Sequence, residues 1–240
     1  MTSQTVYINL QRSAEDLVRG FKIEMLLRLL TALTITAVIV MVLYLQSSWL
    51  FALVILLVCL SGYYEWISNR FKYPFYGFFL IFNFGFWSIF LIFRGAGGDE
   101  LMAYFLYGAI IFSTALFDTF AFIIGSKFGK TYIAKNISPN KTLEGLIGGL
   151  LPLILIGIFL IEYQSKLPGA LGTKDYWIIL YFILIGLSAF VGDLLISYLK
   201  RQSGIKDTGT ILPGHGGVLD RIDSHLIATP LLIILFFIFL

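Results

Sequence analysis

The segment from Lys206 to Asp223 reads KDTGTILPGHGGVLDRID. It gathers three Asp, a Lys, an Arg, a His and four Gly in a chain that is only 13% charged. Lys206 and Arg221 are cations of the kind that bind phosphate. Asp207, Asp220 and Asp223 are hard oxygen ligands, suited to Mg2+ rather than to zinc. Asp220 and Asp223 are three residues apart, which on a helix puts both on one side. The glycines let backbone N–H groups come close to an anion. A solvated Gly-Pro turn with capping acids would explain the glycines, but not the cations and acids beside them.

Further chemistry lies upstream. Asp118 and Asp193 fall inside apolar runs, nine residues before Lys127 and seven before Lys200. At the rise of an α-helix both carboxylates sit about 10–14 Å below the rim that those lysines mark. A carboxylate at that depth is costly and is usually functional or paired. Two at matching depth point to one shared polar cavity; the bland alternative is that each merely pairs with a neighbouring helix. Asp193, Ser197 and Lys200 share a helical face, with Arg201 beside them. Carboxylate, hydroxyl and then cation suit a metal deep in the site and phosphate nearer the mouth, although a Lys-Arg pair also simply ends helices at an interface. In SPNKTLEG, Ser138 to Gly145, Thr142 is placed to cap a helix and Glu144 lies in its first turn. Lys141 is then a cation at a helix N-terminus, a good anion site. Gly145, Gly148 and Gly149 read as close-packing residues. GSKFGKT, Gly125 to Thr131, is no phosphate-binding P-loop: it has three residues between its glycines where four are needed, and it follows an apolar helix rather than a strand.

The elements that hold these residues follow from composition. The 240 residues are 58% hydrophobic and 17% aromatic, too apolar for a soluble domain of this size. Seven apolar runs, about 29–45, 48–66, 74–93, 101–125, 143–162, 175–199 and 224–240, are each long enough to cross a membrane as a helix. Alternating strand patterns are absent. The fold expected is an all-α polytopic membrane protein of about seven transmembrane helices. Residues 1–21 form a polar N-terminal extension and residues 22–240 a single transmembrane domain. The two longest runs are each a tilted, kinked or broken helix. No small-residue cleavage site follows the first span, so no cleavable signal peptide is expected. Cys59 is the only cysteine, which excludes disulfides and thiolate metal sites.

Charge sets the orientation. With the N-terminus in the cytosol, fourteen of the 17 Lys and Arg residues fall on the inside and only Arg94, Lys166 and Lys174 outside. That is a strong positive-inside bias. The net charge of +3 therefore reflects topology and is no argument for nucleic acid. Both polar loops, 126–142 and 200–223, then face the cytosol, where basic residues also suit anionic lipid headgroups.

These residues resemble the phosphatidate cytidylyltransferase family, the CDP-diacylglycerol synthases. SYLKRQSGIKDTGTILPGHGGVLDRID, Ser197 to Asp223, fits that family's signature at every fixed position. Gly192-Asp193, SPNKTLEG and DTFAFIIGSKFGK, Asp118 to Lys130, are similar to its other conserved stretches, with Phe122 where Tyr is usual. The resemblance covers roughly residues 115 to 230; the chain is short for the family by one or two spans. It implies CMP transfer from CTP to phosphatidic acid, a Mg2+ requirement with a second metal plausible, and a homodimer in the cell membrane with a cytosolic active site. It implies Asp193 and Asp220 as the main metal ligands, with Asp223, Asp118 and Asp207 weaker candidates and Lys206 and Asp207 counted with the catalytic group. Ser197, Lys200, Arg201, Arg221, Lys141 and Thr142 would hold phosphates. His215 would donate to a phosphate oxygen or else belong structurally to the turn. A cytidylyltransferase for another lipid phosphate, such as an isoprenoid ether lipid, and an anion or lipid transporter are the alternatives.

The topology is testable by thiol labelling in a Cys59→Ala background. Ser203→Cys should react with a membrane-impermeant reagent from the cytosolic side only, and Ala170→Cys from the opposite side only. Labelling of both from one face would break the span count between them.

Overall fold

A computed structural model describes residues 3–96, 98–163 and 175–239, with only the backbone described at 3–21, 175 and 239. Among the described residues eight helices follow one another: α1 (Ser3–Leu45), α2 (Ser48–Ser68), α3 (Pro74–Arg94), α4 (Glu100–Phe128), α5 (Leu143–Tyr163), α6 (Asp175–Gln202), α7 (Leu219–Ile222) and α8 (His225–Phe239). Seven segments of these residues are long and apolar enough to cross a membrane, α7 and α8 together making the last, Leu219–Ile238. Among the described residues there is no β-strand, only isolated bridges such as Tyr132–Thr142 and Leu212–Gly216. The chain is a polytopic helical membrane protein, as its apolar runs require.

Boundaries fall where local chemistry puts them. The Ser47 hydroxyl caps α2 by accepting from Leu50 N at 3.4 Å, and Asp99 caps α4 by accepting from Leu101 N at 2.8 Å. Pro74 occupies the first turn of α3, where its missing N–H is not needed. Both long runs, α4 and α6, are unbroken helices. The backbone of the N-terminal extension is helical from Ser3 and runs into the first span without a break. Lys166 and Lys174, with their connector, lie outside the described residues.

Helix order in space follows from small residues. α5 lies against α4 because Gly145, Gly148 and Gly149 face it: a Cβ on Gly145 would meet Ala121 O at 2.8 Å, one on Gly148 would meet Ile124 at 2.5 Å, and one on Gly149 would meet Phe117 at 2.7 Å. α6 packs on α5 and α8, and α8 in turn on α3. α2 packs on α3 and touches α7, while α1 lies at the periphery with only a thin contact to α4. The outer faces are apolar, as a lipid solvent demands; Phe78, Phe82, Phe86 and Phe90 form a stacked, exposed ladder along α3.

One end of the bundle collects the polar loops. The Thr31 hydroxyl on α1 donates to Pro213 O at 2.7 Å. The Asn69 amide after α2 reaches Thr208 O. Arg201 Nε donates to Ile137 O at 3.1 Å, tying loop 203–218 to loop 129–142. At the same end Gly192 brings α6 against the turn between α7 and α8, so that a Cβ there would lie 2.5 Å from Asp223 O. Gly192→Ala should therefore force that turn outward and cost about 1–3 kcal/mol, the range for overpacking. Thermal melting in detergent checks it; a melting point unchanged from wild type would mean that α6 and the turn are not in contact.

Candidate functional site

The site begins on the last turns of α6. Ser197 Oγ donates to Asp193 Oδ1 at 3.2 Å, an i, i+4 contact that the shared face predicts. The other oxygen of Asp193 is ion-paired with Lys141, which arrives from loop 129–142 and also lies 5.7 Å from the Phe190 ring centroid. Three residues beyond Ser197, Lys200 Nζ donates to Asp220 Oδ1 at 2.8 Å, and little of either side chain is exposed. Asp220 Oδ2 accepts the backbone N–H groups of Thr208 at 2.8 Å and Gly217 at 3.2 Å. Asp220 thus closes its own loop while Oδ1 keeps a lone pair.

α4 contributes Asp118, whose Oδ2 accepts from Ser224 Oγ at 3.3 Å and whose Oδ1 is buried without a partner. Asp118, Asp193 and Asp223 lie within Coulombic reach of one another, Lys141 within reach of Asp118, and Lys200 within reach of Asp223. The two intramembrane acids expected to share a cavity do share one field. Among the described residues no three His, Cys, Asp or Glu side chains converge tightly enough to form a finished metal cage. The charge balance is nonetheless one-sided. With all ionised, the carboxylates of Asp118, Asp193, Asp220 and Asp223 face the two ammonium groups of Lys141 and Lys200. Uncompensated buried charge is expensive. A deficit of two positive charges is what one divalent cation supplies, and an all-oxygen donor set is what Mg2+ prefers. The residues present fit that ion.

The remaining expected site residues are placed differently. Thr142 is buried, and its hydroxyl accepts from Gly145 N at 3.1 Å, so it caps α5. Arg201 spends its donors on backbone carbonyls, Nε on Ile137 O and Nη1 on Ile205 O at 3.3 Å. Arg221 Nη2 donates to His215 O at 2.9 Å and remains exposed. His215 is half-buried, with Nδ1 buried and unpartnered. Lys206 and Asp207 are exposed at the loop surface. Glu144 accepts the backbone N–H groups of Lys130 and Thr131, both at 3.1 Å, and the Thr131 hydroxyl at 2.9 Å. The loop that mimics a P-loop therefore wraps a carboxylate of its own chain.

Three neighbours of the site were not legible. They are Glu65 near the end of α2, Asn69 just after it, and Ser224 between α7 and α8. Only an acid within a few residues of the rim of span two hinted at Glu65.

Residues 68–239 match the model of the cytidylyltransferase family. The chain belongs to this family. Over 225 residues it is 36% identical to the phosphatidate cytidylyltransferase of Rickettsia typhi, covering 92% of this chain and 95% of that one. It is 42% identical over 139 residues to the Staphylococcus aureus phosphatidate cytidylyltransferase, and 40% over 141 residues to that of Bacillus subtilis. Those two matches take in 57% and 58% of this chain but 50% and 49% of the relatives, so the match spans about half of their length. As a cytidylyltransferase family member the chain keeps its acids and cations within the matched segment, whereas α1 and Glu65 fall outside it.

The Lys200–Asp220 pair can be separated from chemistry by a double-mutant cycle. Lys200→Met strands a largely buried carboxylate and should cost about 3–5 kcal/mol. Adding Asp220→Asn should restore much of the melting stability. Independent, additive effects of the two substitutions would mean that the pair does not form.

Proposed function

We propose that the chain transfers CMP from CTP to phosphatidic acid, giving CDP-diacylglycerol and pyrophosphate. Family membership supports the nucleotidyl transfer. The observation that carries the reading is the field of four carboxylates set against Lys141 and Lys200 below the polar end of the bundle. A lipid phosphate lies at the membrane surface and CTP is soluble, so their meeting point must open both to water and to the bilayer. We place that end in the cytosol, on the strength of the basic residues gathered there.

The phosphate monoester of phosphatidic acid is largely dianionic at neutral pH, its second pKa being about 6. One of its oxygens attacks the α-phosphorus of CTP. The bond from that phosphorus to the bridging oxygen breaks, and pyrophosphate leaves with the electron pair. No proton has to be removed from the nucleophile, so catalysis consists of neutralising repulsion and holding two anions in line. Asp193 and Asp220 would hold Mg2+, with Asp118 and Asp223 adjoining and Asp207 at the rim. Mg2+, when bound, would offset phosphate charge and fix the geometry of the leaving group. Lys141 and Lys200, paired with Asp193 and Asp220 in the structure, would bind phosphate oxygens. Lys206 and Arg221 meet the polyphosphate at the surface, Ser197 donates from the α6 face, and His215 turns its nitrogens toward a phosphate oxygen. Arg201 acts by joining the two loops, and Thr142 by fixing the helix start behind Lys141. A homodimer is the proposed assembly.

The experiment is turnover of labelled CTP with phosphatidic acid by the purified chain in detergent, with pyrophosphate release measured. Asp193→Asn and Asp220→Asn should each fall below about one-tenth of wild-type kcat while remaining folded. Asp223→Ala should raise the Mg2+ concentration for half activity. Lys206→Ala should lower kcat/KM roughly 10- to 150-fold without Mg2+ rescue, the loss of one charged phosphate contact. No pyrophosphate release from wild type, or substantial activity in either Asp→Asn variant, would sink the assignment.

A further inference from the structure

Glu65 is almost fully buried, at 1% exposure, three residues from the end of α2. Its carboxylate is filled by the loop that carries the proposed phosphate cations. Oε1 accepts from Val218 N at 2.9 Å, while Oε2 accepts from Leu219 N at 2.8 Å and from the Thr208 hydroxyl at 2.9 Å. The Asn69 amide, one turn on, donates to Glu65 O at 2.7 Å and to Thr208 O, fixing the same threonine. The loop closes tightly enough around the carboxylate that side chains are excluded. A Cβ on Gly209 would lie 2.7 Å from Glu65 Oε1, and one on Gly217 would lie 2.5 Å from Oε2 and collide with the Thr208 hydroxyl. Two of the four glycines that suggest an anion-binding loop therefore do surround an anion, and it is a residue of the same chain.

We infer that Glu65 is a positioning residue: a buried carboxylate around which residues 206–219 are moulded, setting Lys206 and Asp207 on one side of the site and Asp220 and Arg221 on the other. Thr208 directly follows Asp207, and Leu219 directly precedes Asp220. A single side chain thus fixes the two arms of the loop relative to each other. Asp220 adds a second contact, its Oδ2 accepting from Thr208 N and Gly217 N. The arms are held by two carboxylates, one from α2 and one from α7. Both oxygens of Glu65 receive a backbone N–H, and a backbone N–H cannot turn round. Glutamine has the same shape but would point its NH2 group at Val218 N–H or at Leu219 N–H, donor against donor. Aspartate keeps both acceptors on a shorter stem.

The kinetic part of this inference rests on the proposed CTP reaction, so the test has a second arm that does not. On the full chain in detergent, Glu65→Gln, Glu65→Asp and wild type are compared by amide hydrogen exchange and by turnover at saturating CTP, phosphatidic acid and Mg2+. Glu65→Gln should speed exchange at Val218 and Leu219, and lower kcat, each by about tenfold or more, as expected for losing a charge-assisted hydrogen bond. Exchange in 126–142, the other polar loop, should not change. Glu65→Asp should recover part of both. The inference is overturned if Glu65→Gln exchanges like wild type, if it exchanges faster everywhere, if kcat stays within about twofold, or if Asp rescues no better than Gln. If wild type proved inactive toward phosphatidic acid, the reaction would fall and the exchange comparison alone would decide for or against Glu65.

Discussion

Removing a carboxylate from water costs several kcal/mol even after relaxation, more than one ordinary hydrogen bond restores. Glu65, Asp118, Asp193, Asp220 and Asp223 all lie at one end of this bundle, none of them fully exposed, with Glu144 nearer the surface of the same end. The local architecture follows from meeting their demand for donors. Glu65 and Glu144 draw backbone N–H groups out of two different loops. Asp193 draws Lys141 across from the α4–α5 connection, and Asp220 draws Lys200 from α6. The glycine contacts between α4 and α5 and between α6 and the α7–α8 turn bring the helices near enough for these reaches. Asp118 and Asp223 are supplied least: Asp118 has the Ser224 hydroxyl and Asp223 the Ser224 backbone N–H.

Much of this end was legible in the sequence because single residues carried the information. A span needs about twenty apolar residues wherever it packs, so seven crossings were read, although the first begins at Lys22 rather than 29 and the last at Leu219 rather than 224. Asp118 and Asp193 stood out because an acid in an apolar run is conspicuous alone. Thr142 and Glu144 stood out by their places at a helix start. What stayed hidden were pairings between residues remote in the chain. Arg201 and Arg221 looked like free phosphate cations, yet in the structure they bond to the carbonyls of Ile137, Ile205 and His215. No spacing rule encodes such a contact, since it depends on how two loops fold over each other. That the polar extension runs helically into the first span was hidden too, since helix continuity is a property of the backbone.

The glycine-rich loop shows how a correct chemical reading can attach to a different partner. Closely approaching N–H groups do favour an anion. Inside the loop that anion is Glu65, while Lys206 and Arg221 are exposed on its outside. A loop already shaped around an internal charge need not be ordered by its substrate. That is preorganisation: the electrostatic work of aligning donors is done in folding rather than in binding.

The clamp between α2 and the last loop also has a direction in time. Glu65 and Leu219 are 154 positions apart, and Thr31 meets Pro213 across 182. At about 5–20 residues per second of synthesis, the carboxylate of Glu65 waits roughly 8–30 s for its donors to be made. During that interval α2 is a membrane helix with an unsatisfied acid near its end, and α1 has no loop to rest on. The pairs of Asp193 with Lys141 and Ser197 can form before then, so the site is built in two stages, and the contacts of Glu65 and Asp220 come last.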